Sequence, residues 1–252
     1  FFTCGDVRIS FNKRNGELNG YRYQDKMLLG HAPQPQFWRA PTDNDFGNRM
    51  GILCNVWRTA GQNKEFKSMN VERKDGAVTL TSIYYVRDVA SDYTVKYTVY
   101  ADGRVEVNGS WKAGNIALPE IPRFGMQMTL AQEFDQFSWY GRGPWENYSD
   151  RNTASFIGKY TSTVDEQYVA YIRPQENGNK TDVRWLTLTN KEGFGLRIDG
   201  LQPLSVSALR NYPEDFDAGL TKSQRHINDI NPRKAVVLHV DLAQRGVGGD
   251  NS

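Results

Sequence analysis

The feature that most limits how this chain can fold is a two-residue alternation of side-chain character, interrupted again and again by hairpin turns. Tyr93, Val95, Tyr97 and Val99 fall on one face while Thr94, Lys96 and Thr98 fall on the other, which is the pattern of a strand with one buried side. Asp102-Gly103 follows, and then Val105 and Val107 alternate with Arg104, Glu106 and Asn108. An Asp-Gly pair between alternating runs is a strong hairpin signal, because glycine adopts the left-handed backbone such turns require. Asn15-Gly16 separates Ile9 and Phe11 from Leu18 and Tyr21 in the same way, and Asp75-Gly76 separates Val71 from Val78, Leu80, Tyr84 and Tyr85. Further runs at 124–130, 137–140, 184–189, 195–199, 204–208 and 235–241 lie between Gly, Pro, Asn and Asp clusters, so more than ten strands are expected. Only 52–60 and 220–226 read as helix, and the repeating strand-helix pattern of a barrel or nucleotide fold is missing. The expected fold is all-β: a large antiparallel sandwich forming one domain over residues 1–252, with no fixed-period repeat and no low-complexity linker.

Composition narrows the function. The chain has 252 residues, 38% hydrophobic and 12% aromatic, enough to bury a sizeable core. Its formal charge is +2, with both signs interspersed, so neither nucleic acid nor a membrane surface is expected as a partner. Apolar runs such as Ala235–Leu238 fall far short of the roughly 20 residues that span a bilayer. Phe1-Phe2-Thr3-Cys4-Gly5 carries neither an initiator Met nor a signal peptide's basic start, and reads as internal to a longer protein. These features assign no compartment. Cys4 and Cys54 have no metal-ligand or redox spacing and read as buried thiols.

Two irregular stretches break the strand pattern, and binding residues concentrate on loops carried by a rigid β scaffold. The first, Phe37-Trp38-Arg39-Ala40-Pro41-Thr42-Asp43-Asn44-Asp45, packs two aromatics, a guanidinium, two carboxylates and an amide together. Sugars are recognised by aromatic faces and forked polar groups, which this segment offers. An equally physical reading makes Asp43, Asn44 and Asp45 a helix cap with Arg39 as their ion-pair partner. The spacing of the acidic residues lacks the glycine and distal glutamate of a calcium loop, so no metal is expected. The second stretch is Gly141-Arg142-Gly143-Pro144-Trp145-Glu146-Asn147-Tyr148-Ser149-Asp150-Arg151, echoed by Arg173-Pro174-Gln175-Glu176-Asn177-Gly178-Asn179 and by Asp182-Val183-Arg184-Trp185. Its glycines do not form a phosphate-cradling motif.

These motifs, taken in order with Gly246-Val247-Gly248-Gly249-Asp250-Asn251-Ser252, resemble the successive signatures of the small-chain domain of glycoside hydrolase family 2 β-galactosidases. The resemblance covers nearly the whole chain. It implies a β supersandwich of the galactose mutarotase type, placed last in a much longer chain or carried on a separate small subunit. Its expected partners are the remaining domains or the large subunit, and the β-galactoside substrate.

The resemblance also restricts the chemistry. Retaining enzymes use an acid/base and a nucleophilic carboxylate about 5 Å apart, and in the family both belong to a barrel domain, as do the ligands of its Mg²⁺ and Na⁺. No catalytic residue and no cofactor is therefore expected here, and the chain alone is expected to be inactive. In the family a tryptophan directly after the Gly-Gly-Asp-(Asn/Asp)-Ser motif forms a wall for the substrate, whereas this sequence ends at Ser252. By analogy the residues facing the sugar or supporting the active site are Arg39, Asp43, Asn44, Asp45, Arg142, Glu146, Asn147, Asp150, Arg151, Glu176, Asn177, Arg184, Asp250 and Asn251. The alternative role for the charged members is to lock long loops together. Two other readings are a free-standing carbohydrate-binding module and an aldose mutarotase. The latter needs a histidine and a glutamate as acid and base, and His31, His226 and His239 lie in no such motif.

Overall fold

The computed structural model describes residues 1–220 and 225–248. Fifteen strands appear among them, in three antiparallel sheets. The first sheet joins β1 (Phe2–Cys4), β2 (Val7–Phe11), β3 (Leu18–Tyr23) and β4 (Lys26–Met27) in sequence order. Strand β5 (His31–Gln36) then crosses to the edge of a second sheet, and two short helices, α1 (Asp43–Gly47) and α2 (Met50–Leu53), follow it. The third sheet is a meander of β6 (Lys64–Lys74), β7 (Ala77–Val86), β8 (Ser91–Val99) and β9 (Val105–Lys112). The second sheet is completed by β10 (Arg123–Leu130), β11 (Gln136–Gly143), β12 (Phe156–Thr163), β13 (Lys180–Thr189), β14 (Gly195–Leu209) and β15 (Val236–Gln244). Its order is β12-β11-β13-β14-β15-β10-β5. A last short helix, α3, covers Pro213–Phe216.

The alternation of β8 is realised as expected: Tyr93, Val95, Tyr97 and Val99 are all buried. Asp75-Gly76 links β6 to β7, with φ of 50° and 77°, which is the left-handed geometry that made it a turn signal. Strand β5 carries two prolines, Pro33 and Pro35. It forms because it is an edge strand, bonded only to β10, where Pro33 and Pro35 need donate no ladder hydrogen bond on the free side. The runs at 195–199 and 204–208 are one strand, β14. Between Asp199, opposite Trp185, and Leu204, opposite Val183, the chain bulges outwards, and Leu201 at its crest is exposed. The helix expected over 52–60 is instead two pieces, α2 and a 3₁₀ turn at Asn55–Trp57, preceded by the left-handed Arg49. The segment 220–226 falls partly outside the described residues, and His226 caps a 3₁₀ turn at Ile227–Asp229. Cys54 is buried, but Cys4 is only half-buried.

One apolar cluster draws on all three sheets, with Ile9 and Leu18 from the first, Tyr84 and Tyr97 from the third and Trp139 and Leu186 from the second. Phe37 is its junction. Its ring lies 5.8 Å from Trp57, 6.0 Å from Tyr93, 5.2 Å from Trp111 and 5.9 Å from Phe124, mostly edge-to-face, the favoured aromatic geometry. Phe37→Ala should cost about 3–5 kcal/mol of stability, read as a lowered denaturation midpoint with unchanged slope. Phe37→Leu should cost clearly less.

Candidate functional site

The segment that leads out of the core after Phe37 turns polar at once. Arg39 is fully buried and grips Asp45 with both guanidinium nitrogens, Nη1 to Oδ2 at 2.5 Å and Nη2 to Oδ1 at 3.0 Å. Thr42 caps α1, its Oγ1 accepting from the Asp45 amide, while Asp45 Oδ2 accepts from the Thr42 amide at 2.7 Å. This reciprocal capping box is what the Thr-Asp-Asn-Asp spacing encodes. The helix-cap reading of the motif therefore describes its geometry, and the aromatic-platform reading does not: Phe37 and Trp38 are 0% and 2% exposed. Trp38 instead donates from Nε1 to Asp217 at 2.8 Å and lies under the Arg58 guanidinium.

The same residues hold the far end of the chain. Arg39 Nη2 donates to the Gly246 carbonyl at 2.9 Å, Asn44 Nδ2 to the Val247 carbonyl at 2.8 Å, and the Gly248 amide to Asp150 Oδ2 at 2.7 Å. Three side chains from two distant loops thus fix consecutive residues of the segment that leads to Asp250 and Asn251, which lie outside the described residues. Asp43 is turned away, exposed, and pairs with Arg173 at 2.6 Å.

The second motif locks onto the third. Asn147 is fully buried, and its amide donates to the Asn179 carbonyl at 2.8 Å while Asn179 Nδ2 donates back to the Asn147 carbonyl at 2.9 Å. Asn147 Oδ1 accepts from both the amide and the hydroxyl of Thr181, and its Nδ2 donates to the Trp145 carbonyl at 3.0 Å. Glu146 is equally committed: Oε1 accepts from Arg151 Nη2 at 2.7 Å and from the Tyr171 hydroxyl, and Oε2 accepts from the Gly178 amide at 2.8 Å. Gly178 has φ of 78°, and a Cβ there would stand 2.9 Å from the Gln167 carbonyl, so this contact requires glycine. Asn177 spans its own loop, Nδ2 to the Gln175 carbonyl and Oδ1 from the Val169 amide.

Beneath these loops lies a buried charge cluster of which sequence reading named only Glu176. Arg123 Nη2 pairs with Glu176 Oε1 at 2.9 Å, and its Nε approaches Asp241 Oδ2 at 3.2 Å, all three side chains being buried. Burial opposes the charge of Arg123, but Asp241 and Glu176 together hold its pKa above the ordinary value. At Asp241 the balance reverses. Burial outweighs the attraction of Arg123, already shared with Glu176, and pushes the carboxyl up to about 7. His239 sits on the same strand with Nε2 2.9 Å from Gln127 Oε1 and Nδ1 3.2 Å from the Ser207 hydroxyl. Burial, then Arg123, holds it well below its ordinary pKa, so it is neutral. The only signal was a charged residue at an inward position of an apolar strand, Asp241 in Val236–Gln244 and Arg123 at the start of β10. The buried Tyr148 joins the groups: burial first, then Glu176 and Glu146, raise its pKa against the opposing pull of Arg39.

Two predicted residues stand apart. Arg142 pairs with Asp182 at 2.5 Å and donates to the carbonyls of Asn152 and Ser155, and Arg184 lies over the Tyr140 ring and donates to the Asp182 carbonyl. They brace the β11–β13 margin and make no recorded contact with the Arg39 group. Asp45 is spent on Arg39 and Thr42, and no three His, Cys, Asp or Glu side chains converge among the described residues. Of the other histidines, His31 is exposed on β5 and His226 is exposed at its turn.

Comparison with known proteins identifies the chain's relatives. The family model "Beta galactosidase small chain" matches residues 3–252. A β-galactosidase of Priestia megaterium is 40% identical over 243 residues, 96% of this chain and 23% of that protein. One of Halalkalibacterium halodurans is 31% identical over 98% of this chain and 24% of its own length, and one of Streptococcus thermophilus 29% over 97% and 23%. The chain thus spans about a quarter of the length of these relatives.

Arg39→Ala should cost about 3–5 kcal/mol, because it strands the Asp45 carboxylate in the interior. Asn44→Ala should cost only about 1 kcal/mol yet speed amide exchange at Gly248, which isolates the anchoring of the terminal segment from folding. A carboxyl whose folded pKa lies above its unfolded one binds more protons when folded, so the Asp241 contribution to stability is lost as pH rises from about 4 to about 7. The stability of Asp241→Asn relative to wild type, measured by denaturant titration across that range, should therefore rise with pH.

Proposed function

Because the chain belongs to the β-galactosidase small-chain family, we propose that residues 1–252 act as one accessory domain of a β-galactosidase, helping to complete the site that hydrolyses terminal β-galactosides. The observation that carries this reading is the triple anchoring of Gly246, Val247 and Gly248 by Arg39, Asn44 and Asp150. Such anchoring holds Gly246 to Gly248 in one arrangement from which to meet a partner. Holding a substrate-facing loop in one conformation before binding removes an entropic cost from the reaction.

The carboxylates support a positioning role rather than a chemical one. A retaining glycosidase needs a protonated acid and a free nucleophile facing each other across the sugar. Glu146 spends both oxygens on Arg151, Tyr171 and Gly178, and Glu176 is sealed against Arg123. Neither has an open face to offer an anomeric carbon. The acid/base and nucleophile, and the Mg²⁺ and Na⁺ sites, accordingly belong to the partner portion of the enzyme. Arg39, Asn44, Asp45 and Asp150 support the terminal segment, while Glu146, Asn147, Arg151, Glu176 and Asn177 keep its supporting loops in register.

The test is reconstitution. The 252-residue chain alone should show no turnover of nitrophenyl β-galactoside, and a β-galactosidase deprived of this portion should recover activity when the chain is supplied. In the assembled enzyme Glu146→Gln and Glu176→Gln should leave kcat within about tenfold, where loss of a true catalytic carboxylate costs several orders of magnitude. Turnover by the chain alone, or no dependence of the larger portion on it, would overturn the proposal.

A further inference from the structure

The two edges of the seven-stranded sheet are finished differently. At the β5 edge Pro33 and Pro35 remove ladder donors, and the Pro35 carbonyl lies close under the Gly61 backbone, both devices that blunt an edge. The β12 edge, Phe-Ile-Gly-Lys-Tyr-Thr-Ser-Thr, contains no proline. It opens on Phe156, 76% exposed, and Ile157, which are neighbours in a strand and so point to opposite faces. Phe156 pairs with Gly143, two residues before Trp145, which is 72% exposed. Ile172, also exposed, adjoins Tyr171, whose hydroxyl meets Glu146 beside Trp145. Four exposed apolar side chains thus lie on three segments tied together by the Gly143–Phe156 pairing and the Tyr171–Glu146 hydrogen bond.

The hydrogen bonds around these segments are largely internal. The Trp145 carbonyl is held by the buried Asn147 side chain, so the indole is presented from a fixed backbone. The polar groups nearby are already satisfied: Glu146 by Arg151, Tyr171 and Gly178, Arg142 by Asp182 and two carbonyls, Asn147 by Thr181 and Asn179. A sugar would need just such forked polar groups to be free. What these segments add for a ligand is aromatic and aliphatic surface beside an open strand edge, with exposed Arg151 and Lys159 at its margin, the composition of a protein-protein hot spot with a polar rim.

We propose that Trp145, Phe156, Ile157 and Ile172 are the docking surface for the larger, catalytic portion of the β-galactosidase. This rests on the accessory-domain reading above. The occupant follows from two observations. Relatives matched over nearly all of this chain are about four times its length, so most of such a protein lies outside it. This surface is also continuous with the anchored terminal segment, since Asp150, which holds Gly248, is on the Trp145 loop. Docking here places the anchored segment at the margin of the joint.

The experiment uses a full-length β-galactosidase carrying this chain as its small-chain portion. Hydroxyl-radical footprinting, corrected for intrinsic reactivity, should show Trp145 and Phe156 modified at least tenfold more slowly than Leu201, which is 80% exposed at the β14 bulge. Cross-links from Lys159 on β12 should reach the catalytic portion. The Trp145→Glu/Phe156→Glu variant should lose at least tenfold in activity, with Trp145→Phe largely active and Leu201→Glu unaffected. Free modification of Trp145, cross-links only to a second copy, or full activity of the double variant would overturn the docking surface. Deleting the whole chain separates the two readings. Activity that survives deletion defeats the accessory role itself, whereas activity lost on deletion but indifferent to the double variant defeats only this surface.

Discussion

The Arg39–Asp45 pair is the constraint on which the polar end of this molecule depends. It begins two residues after Phe37, the ring at which the helical segment and two of the three sheets meet, so its position is set by the core. From there the guanidinium closes α1 through Asp45 and reaches Gly246 near the end of the described chain. A buried ion pair adds little net stability over a well-packed apolar pair, because desolvation consumes most of the attraction. Its value is directional. Two nitrogens on two carboxylate oxygens admit one orientation of the helix, and the same nitrogens then donate to the Ala40 and Gly246 carbonyls.

The buried charges beneath the loops follow the same logic with a different balance. Arg123 serves two carboxylates, Glu176 and Asp241, and cannot neutralise both in a dry interior. Glu176 takes the hydrogen bond, and Asp241 is left with a raised affinity for a proton. Space for that carboxyl is reserved by Gly125 on the neighbouring strand, where a Cβ would fall 1.9 Å from Asp241 Oδ1. A perturbed carboxyl often marks a catalytic acid. Here it faces no cleft, since Arg123, Glu176 and Asp241 are all buried, and the perturbation is a consequence of packing three charges with too few partners.

How much of this was legible in the sequence depends on the range of the interaction. Hairpins are local, and the Asp-Gly and Asn-Gly turns with their flanking alternation identify β2, β3 and β6 to β9 directly. The β5 edge was hidden because its prolines oppose strand formation unless one side is free, and which strand is an edge is a property of the whole sheet. The bulge in β14 hid one strand as two for the same reason. At the site, the capping box was readable within four residues, whereas Arg123–Glu176 and Arg39–Gly246 join positions 53 and 207 residues apart. Phe37 and Trp38 show the reverse error. Aromatic density near charges suggested a sugar platform, but only the tertiary structure decides whether a ring is covered, and these two are, while Trp145 is not.

The contrast between those aromatics bears on what such a domain contributes to an enzyme. Chemistry demands groups with unspent capacity, and nearly every carboxylate, amide and guanidinium of the three motifs is already bonded to another part of the chain. Saturation of this kind fixes loops in one arrangement without leaving them reactive. In the accessory role proposed above, such a neighbour offers a catalytic partner a wall whose shape does not have to be organised at each turnover, with Arg39 and Asn44 directed to holding Gly246 and Val247 in place.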